Sequence, residues 1–189
     1  MRSLTWPGSD RESARVAVLL PGTGYTVQAP LLYWSAELLA QQGWRVEAVE
    51  WMVSDEAQRN PRAFVEAAVD LAFATAPGAS RRLVVGKSFG SFALPWAIDS
   101  KVPGIWLTPV LTDLEIYDAL AAAASSHLAI GGGADPMWAP SSSLTTGAQL
   151  TTLEGADHSL LLDGDWHGSI ALHAEVLEIV ARRAELLAQ

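Results

Sequence analysis

The stretch from Leu83 to Gly90 reads Leu-Val-Val-Gly-Lys-Ser-Phe-Gly and decides the fold. Its three apolar residues predict a buried strand, and Gly86-Lys87-Ser88-Phe89-Gly90 matches G-x-S-x-G, the pattern of a sharp turn from a strand into a helix. Such a turn holds the serine in strained backbone geometry, and neighbours with a Cβ would collide there. The alternative is an ordinary strand–helix turn in which Ser88 caps the helix.

On both sides of this stretch, short apolar runs alternate with longer segments of helical periodicity, which is typical of a parallel sheet with helical crossovers. Strands are predicted at 15–20, 44–51, 83–85, 105–107, 127–130 and 149–153, and helices at about 30–42, 61–76, 91–99, 114–124 and 165–187. The predicted fold class is α/β: a predominantly parallel sheet of about six strands with helices on both faces. The Ser141-Ser142-Ser143 run is too short to separate domains, so one domain is expected over residues 1–189.

Composition excludes several classes of protein. The chain has 189 residues, no cysteine and a formal charge of -9, which argues against nucleic acid and against a basic membrane patch. The missing cysteines exclude disulfides, thiolate metal sites and cysteine nucleophiles. Since no apolar leader or run of membrane-spanning length is present, we expect a soluble cytoplasmic protein without a membrane span. No motif predicts a cofactor or a metal, and none indicates an oligomeric state.

A serine hydroxyl needs a base before it can act as a nucleophile, and histidine is the usual one. His158 follows the last predicted strand, at the sheet edge where functional groups of parallel sheets gather. His127 is expected at the opposite end of the sheet and His173 on a solvent-facing side of the final helix. His167, near the start of that helix, has no matching motif. We therefore predict Ser88 as nucleophile and His158 as base.

The imidazole requires an acid that fixes its tautomer. Asp135 follows the fifth predicted strand and gives the chain order Ser88, Asp135, His158 that this architecture uses. Asp113, after the fourth strand, is the rival candidate. Asp157 and Glu154 lie beside the histidine in sequence, and Asp157 is better explained as a carboxylate that braces the loop.

The loop after the first predicted strand, Pro21-Gly22-Thr23-Gly24-Tyr25, is expected to supply backbone N–H groups to an oxyanion hole. The predicted donors are Phe89, next to the nucleophile, and Thr23, with Gly24 as the alternative. Gly24 and Tyr25 are also expected to contact substrate. The loop lacks the third glycine of a dinucleotide fingerprint, and Arg81 stands where a P-loop glycine would be required, so nucleotide binding is disfavoured.

Tryptophan is frequent, with eight in the chain. Trp138, three residues past Asp135, and Trp166, near His158, are candidates to line a pocket for substrate. The alternative is that most of the tryptophans pack in the core.

Four segments, in order, resemble the α/β-hydrolase family: residues 19–24, 86–90, 133–136 and 155–158. The resemblance covers nearly the whole chain and implies a Ser88–His158–Asp135 triad with Phe89 and Thr23 as oxyanion donors. Three departures stand out. Pro21 replaces a histidine that often precedes the oxyanion glycine, antiparallel N-terminal strands are reduced to at most 3–6, and residues 111–126 are too short for a cap domain. The resemblance therefore implies a cap-less member with a shallow, open site.

These features favour a serine hydrolase that cleaves a carboxylic ester of a small acyl substrate through an acyl-enzyme. A thioesterase would use the same three residues. A non-catalytic binding module on the same fold is the alternative from another class, although such a module would be expected to lack part of the triad.

Overall fold

Seven strands form one sheet in the order β1-β3-β2-β4-β5-β6-β7. The computed structural model describes residues 1–140 and 144–189, so the serine run at 141–143 lies outside the described residues. The strands are β1 Arg2–Thr5, β2 Arg15–Leu20, β3 Arg45–Glu50, β4 Arg81–Lys87, β5 Gly104–Leu107, β6 His127–Gly132 and β7 Gln149–Leu153. The helices are α1 Pro30–Gln41, α2 Asp55–Arg59, α3 Pro61–Ala74, a 3₁₀ helix Ser88–Ala93, α4 Leu94–Asp99, α5 Leu114–Ala122 and α6 Trp166–Leu187.

All neighbouring strands are parallel except β1, which pairs antiparallel with β3. The α/β fold class and the six predicted strands are confirmed, and β1 is the remnant of antiparallel sheet expected near residue 3. Parallel pairing places the carboxyl ends of β2, β4, β5, β6 and β7 at one edge of the sheet. Loops that follow these strands can therefore meet at a common site.

The two faces of the sheet carry separate cores. Along β2, Val16, Val18 and Leu20 are buried on one face, and Ala17 and Leu19 on the other, because successive side chains alternate. Residues of α3, α4 and α5 cover the first face, and residues of α1 and α6 cover the second. A central strand is thus buried on both sides, which explains its unbroken apolar sequence.

Two helical details differ from the sequence prediction. The helix predicted to follow the G-x-S-x-G turn (residues 86–90, the elbow) is divided into the 3₁₀ helix and α4. Pro95 lies in the first turn of α4, where its missing N–H has no helical partner to lose. The short helix α2 was not predicted. Ser54 caps it, accepting from the Ala57 N–H at 3.2 Å.

In the described part of the chain, no helix combines the length and the apolar character that crossing a bilayer requires.

His127 is a buried titratable group at the amino end of β6, remote from the edge where β6 ends. Its ring stacks on Trp106, and its Nδ1 accepts from the Trp106 Nε1–H at 3.3 Å. Burial, together with the nearby Arg183 guanidinium, lowers the pKa of His127 to about 4. The imidazole therefore stays neutral in the folded protein at pH values where an unfolded chain would protonate it.

This burial predicts acid sensitivity of the fold. Because the unfolded state takes up the proton first, stability contributed by His127 is lost as pH falls from about 6.5 towards 4, by up to about 3 kcal/mol. The test is His127→Asn, which keeps an acceptor for Trp106. Urea unfolding should show that its free energy of unfolding falls less than that of wild type as pH is lowered across this range. His167→Asn, at an exposed histidine, is the control and should follow wild type. Equal acid slopes for wild type and His127→Asn would contradict the prediction.

Candidate active site

Ser88 lies directly after β4, in the sharp turn that the G-x-S-x-G pattern predicts. Its φ is +51°, a left-handed conformation that is unfavourable for a residue with a side chain. A Cβ on Gly86 would lie 2.8 Å from the Gly90 carbonyl oxygen, and a Cβ on Gly90 would lie 2.5 Å from the Leu20 carbonyl oxygen. The two glycines therefore permit the close approach that holds Ser88 in this geometry.

Ser91 stabilises the turn through two hydrogen bonds of its side chain. Its buried hydroxyl donates to the Ser88 carbonyl oxygen at 2.6 Å and accepts from the Val110 N–H at 3.2 Å. One side chain thus connects the turn after β4 to the loop after β5. This role of Ser91 was not predicted from the sequence, because the pairing depends on two segments that are 19 positions apart.

A continuous chain of hydrogen bonds joins the three residues selected from the sequence. The Ser88 Oγ and the His158 Nε2 are 2.7 Å apart, and the His158 Nδ1 and the Asp135 Oδ2 are also 2.7 Å apart. A carboxylate only accepts hydrogen bonds, so the network assigns the proton to Nδ1 and leaves Nε2 to accept from the serine hydroxyl. Three segments far apart in sequence are brought together.

The acid is the most buried of these three residues. Ser88 is half-buried, the His158 side chain is 30% exposed and the Asp135 side chain is fully buried. The other Asp135 oxygen, Oδ1, accepts from the Met137 N–H at 2.8 Å. The acid is therefore held on both oxygens, while the serine faces the open side.

The segment that carries His158 is shaped by local backbone geometry. Gly155 and Leu160 have φ of +69° and +59°, and they flank the histidine. Asp157 braces this loop, as predicted, because its Oδ1 accepts from the N–H groups of Ser159 at 2.7 Å and Leu161 at 2.9 Å. Its carboxylate is thereby engaged with its own loop.

The rival acid has another role. Asp113 caps α5, accepting from the N–H groups of Glu115 at 3.0 Å and Ile116 at 3.3 Å. Asp135, and not Asp113, is hydrogen-bonded to the imidazole of His158. The structure therefore distinguishes two carboxylates between which the sequence left a choice.

The other histidines do not join this chain of bonds. His127 lies at the opposite end of the sheet, as expected, and exposed His167 stacks on Trp166. His173, expected on a solvent-facing side of the final helix, is half-buried and lines the surface groove beside α6. Its Nε2 donates to the carbonyl oxygen of Ser159 at 3.1 Å.

The loop after β2 approaches the serine, as an oxyanion-hole loop would. A Cβ on Gly22 would lie 3.4 Å from the Ser88 Cβ, so the backbone passes close to the nucleophile position. The Gly22 carbonyl accepts from the Trp51 Nε1–H at 3.2 Å, and the indole of Trp51 packs edge-on against Phe89. Thr23 is exposed beside Gly22, and the exposed Gly24 follows it.

Two residues predicted to contact substrate make contacts within the protein. Tyr25 is half-buried, its hydroxyl accepts from the Leu31 N–H at 2.9 Å, and burial raises the pKa of the phenol. Trp138 belongs to the core, and its Nε1 donates to Thr152 at 2.9 Å. The indole of Trp138 fills the space that a side chain at position 131 would need, which is why Gly131 is required there. The core alternative is therefore the better description of Trp138.

Trp166 is exposed at the start of α6, where it lines an apolar groove of about 510 Å³. Leu161, on the loop that carries His158, and Ile170 line the same groove. A second cavity, of about 250 Å³, lies beside the loop after β2 and is lined by Gly22, Thr23 and Trp51 among others. One open surface therefore adjoins the loop after β2, and the other adjoins the loop that carries His158.

Lys87, inside the elbow motif, is a buried charge that was not predicted from the sequence. Its side chain is 1% exposed and its Nζ donates to the carbonyl oxygen of His158 at 2.9 Å. Its position in the sequence could have indicated this burial, because a lysine that ends a run of buried strand residues has no obvious route to solvent.

Comparison with known proteins identifies the fold. No family model matches the sequence, and no curated protein matches it. Among solved structures, a serine hydrolase without lid from Xanthomonas campestris is 20% identical with a TM-score of 0.60, over 95% of this chain and 86% of the other. Dienelactone hydrolase from Anabaena variabilis is 18% identical with a TM-score of 0.66, over 98% and 90%. A ferulic acid complex of Est1E from Butyrivibrio proteoclasticus is 14% identical with a TM-score of 0.65, over 98% and 94%.

These likenesses and the strand order establish the class: the chain has the α/β-hydrolase fold. Between β5 and β6, a segment described throughout, the chain forms only the nine-residue helix α5 and its loops, so this is the cap-less form of the fold. At these identities the comparisons define the fold alone, and activity has to be argued from the site.

The close approach at the elbow predicts a specific loss of stability. Gly90→Ala would place a Cβ against the carbonyl of Leu20, and we expect it to destabilise the protein by about 2–3 kcal/mol. Gly78→Ala, at a glycine with no atom within 4 Å of the added Cβ, is the matched control and should change stability by less than about 0.5 kcal/mol. Urea unfolding measures both. An unchanged midpoint for Gly90→Ala would show that the turn is not held by this contact.

Proposed function

We propose that this protein is a serine hydrolase that cleaves a carboxylic ester of a small substrate through an acyl-enzyme on Ser88. The observation that carries the proposal is the unbroken chain Ser88–His158–Asp135, with 2.7 Å at each of its two junctions. A serine in strained geometry, a base within hydrogen-bond reach and a buried acid behind the base are the parts that nucleophilic acyl transfer requires.

In the first half of the reaction, the Ser88 Oγ attacks the ester carbonyl while the His158 Nε2 takes the hydroxyl proton. The imidazolium that forms is stabilised by the Asp135 carboxylate, which stays ionised. Collapse of the tetrahedral intermediate passes the same proton to the departing alkoxide, and the alcohol leaves. The acyl group remains bound to Ser88 as an ester.

The negative charge of the tetrahedral intermediate needs N–H donors that are already in place. Phe89 is one donor in this proposal, because N–H groups in the first turn of a helix lack partners within that helix. Thr23 is the second and Gly24 its alternative. The 3.4 Å separation between a Cβ built on Gly22 and the Ser88 Cβ supports this loop as the other side of the hole.

In the second half, water replaces the alcohol. His158 accepts a proton from water, the hydroxide attacks the acyl carbonyl, and the proton returns to the Ser88 Oγ as the acid is released. The partial exposure of His158 and Ser88 supports ready access for this water and for a small substrate.

Covalent labelling tests the nucleophile directly. A fluorophosphonate probe should form a single adduct on wild type, with a bond from the Ser88 Oγ to phosphorus and loss of fluoride, and none on Ser88→Ala. Intact-mass spectrometry measures the adduct, and circular dichroism checks that the variant is folded. A folded wild-type protein that takes no adduct would contradict the proposal and favour a binding module on this fold. A labelled protein would then be assayed on a panel of esters and thioesters.

The assignment of the acid gives a second test. Asp135→Asn removes the charge that stabilises the imidazolium, and we expect kcat/KM on an ester substrate to fall by up to about 10⁴-fold. Asp113→Asn keeps a good helix cap and should leave kcat/KM within about two-fold of wild type. A large loss for Asp113→Asn with a mild effect of Asp135→Asn would reverse the assignment.

A further inference from the structure

Lys87 is a buried cation that the reaction described above does not use. It precedes Ser88 at the end of β4, and it is among the largest fully buried side chains of the protein. Removing an ammonium from water is costly unless specific partners compensate for it. The contacts of this side chain therefore indicate what it does.

The ammonium of Lys87 reaches from β4 to the loop that carries the base. Its Nζ donates to the carbonyl oxygen of His158 at 2.9 Å, and it lies 5.0 Å from the centre of the Tyr25 ring. The strand that presents the nucleophile is thereby bonded to the backbone of the residue that activates it. This bond is charge-assisted, and such bonds are about twice as strong as neutral ones.

Three titratable side chains from three loops act on the ammonium. They are Tyr25 after β2, Asp135 after β6 and Asp157 after β7, while His158 meets it through its backbone carbonyl. Burial is the larger influence and lowers the pKa of Lys87 to about 8, while the carboxylates of Asp135 and Asp157 act in the opposite direction. Lys87 is therefore charged below about pH 8 and neutral above it.

We propose that Lys87 is a positioning residue for the hydrolysis inferred above: its ammonium holds the backbone of His158 at the distance from Ser88 that proton transfer requires. The inference rests on the proposed function. It assigns to one strand, β4, both the position of the nucleophile and the restraint on the base.

Two consequences distinguish positioning from simple packing. Loss of the bond allows the His158 loop to move, so the fraction of molecules in reactive geometry falls, and kcat decreases with little change in KM. Deprotonation of Lys87 replaces a charge-assisted bond by a weaker neutral one, so the reaction also slows as pH rises through about 8.

The test compares Lys87→Met with Lys101→Met, the same change at the only other lysine of the chain, which is exposed. We expect Lys87→Met to lower the fluorophosphonate labelling rate and the ester kcat by between about 10-fold and 100-fold, with KM within about two-fold. Wild type and Lys101→Met should lose roughly three-fold in labelling rate above pH 8, and Lys87→Met should show no such loss. A folded Lys87→Met with wild-type rates and a wild-type pH profile would overturn the inference.

Hydrogen exchange gives a readout that needs no activity. Peptides covering 155–163 should exchange faster in Lys87→Met than in wild type, while Lys101→Met should match wild type. Unchanged exchange in a folded Lys87→Met overturns the positioning role even if labelling fails. Faster exchange together with an unlabelled wild type would instead remove the hydrolase proposal and leave the bond between Lys87 and the loop established.

A measurement on the unmodified protein covers the case in which Lys87→Met does not fold. With lysine nitrogens labelled, only two side-chain signals are expected, from Lys87 and Lys101. One should titrate near pH 8, over the same range in which the labelling rate falls. A labelling rate that stays constant while the Lys87 signal loses its proton overturns the proposal.

Discussion

The close approach of Gly90 to the backbone of Leu20 is the constraint on which the rest of the site depends. It brings the turn after β4 against the carboxyl end of β2, where no side chain at position 90 could fit. Ser88 is left in a left-handed conformation that local preferences alone would not maintain. The energy for this comes from the two cores on either side of the sheet, in which β2 and β4 are buried throughout their central residues. The geometry of the site therefore depends on the packing of the two cores.

Much of the fold could be read from local sequence. The unbroken apolar run of β2 and the threonine-rich β7 have the predicted bounds, because burial on both faces and strand propensity are local signals. The three residues of the hydrogen-bonded chain were identified from motif and strand order. What could not be read depends on contacts between distant segments: the packing of Trp138 over Gly131, the bond from His173 to Ser159, and the burial of Lys87. Asp135 was preferred to Asp113 on chain order, but both follow strands at the same edge, so the three-dimensional placement was needed to exclude Asp113 as the partner of the histidine.

The site has an electrostatic gradient that the net charge of -9 does not suggest. The side chain of Asp135 is fully buried and the imidazole of His158 is partly exposed. The buried ammonium of Lys87 donates to the backbone carbonyl of His158. In a low-dielectric interior these fixed charges act more strongly than the many exposed carboxylates of the surface. The local arrangement of these groups, rather than the net charge of the chain, therefore determines the electrostatics of the site.

The residues that hold the Ser88 turn in place and the residues that line the exposed groove are different, and this affects what substitutions can change. Gly86, Gly90, Ser91 and Lys87 act from inside the molecule, whereas Leu161 and Trp166 line an exposed apolar groove next to the loop that carries His158. Substitutions at Leu161 or Trp166 change the size and polarity of this groove without disturbing the turn that presents Ser88. In the proposed hydrolase, substrate selectivity can therefore diverge at the groove while the turn and its internal supports stay the same.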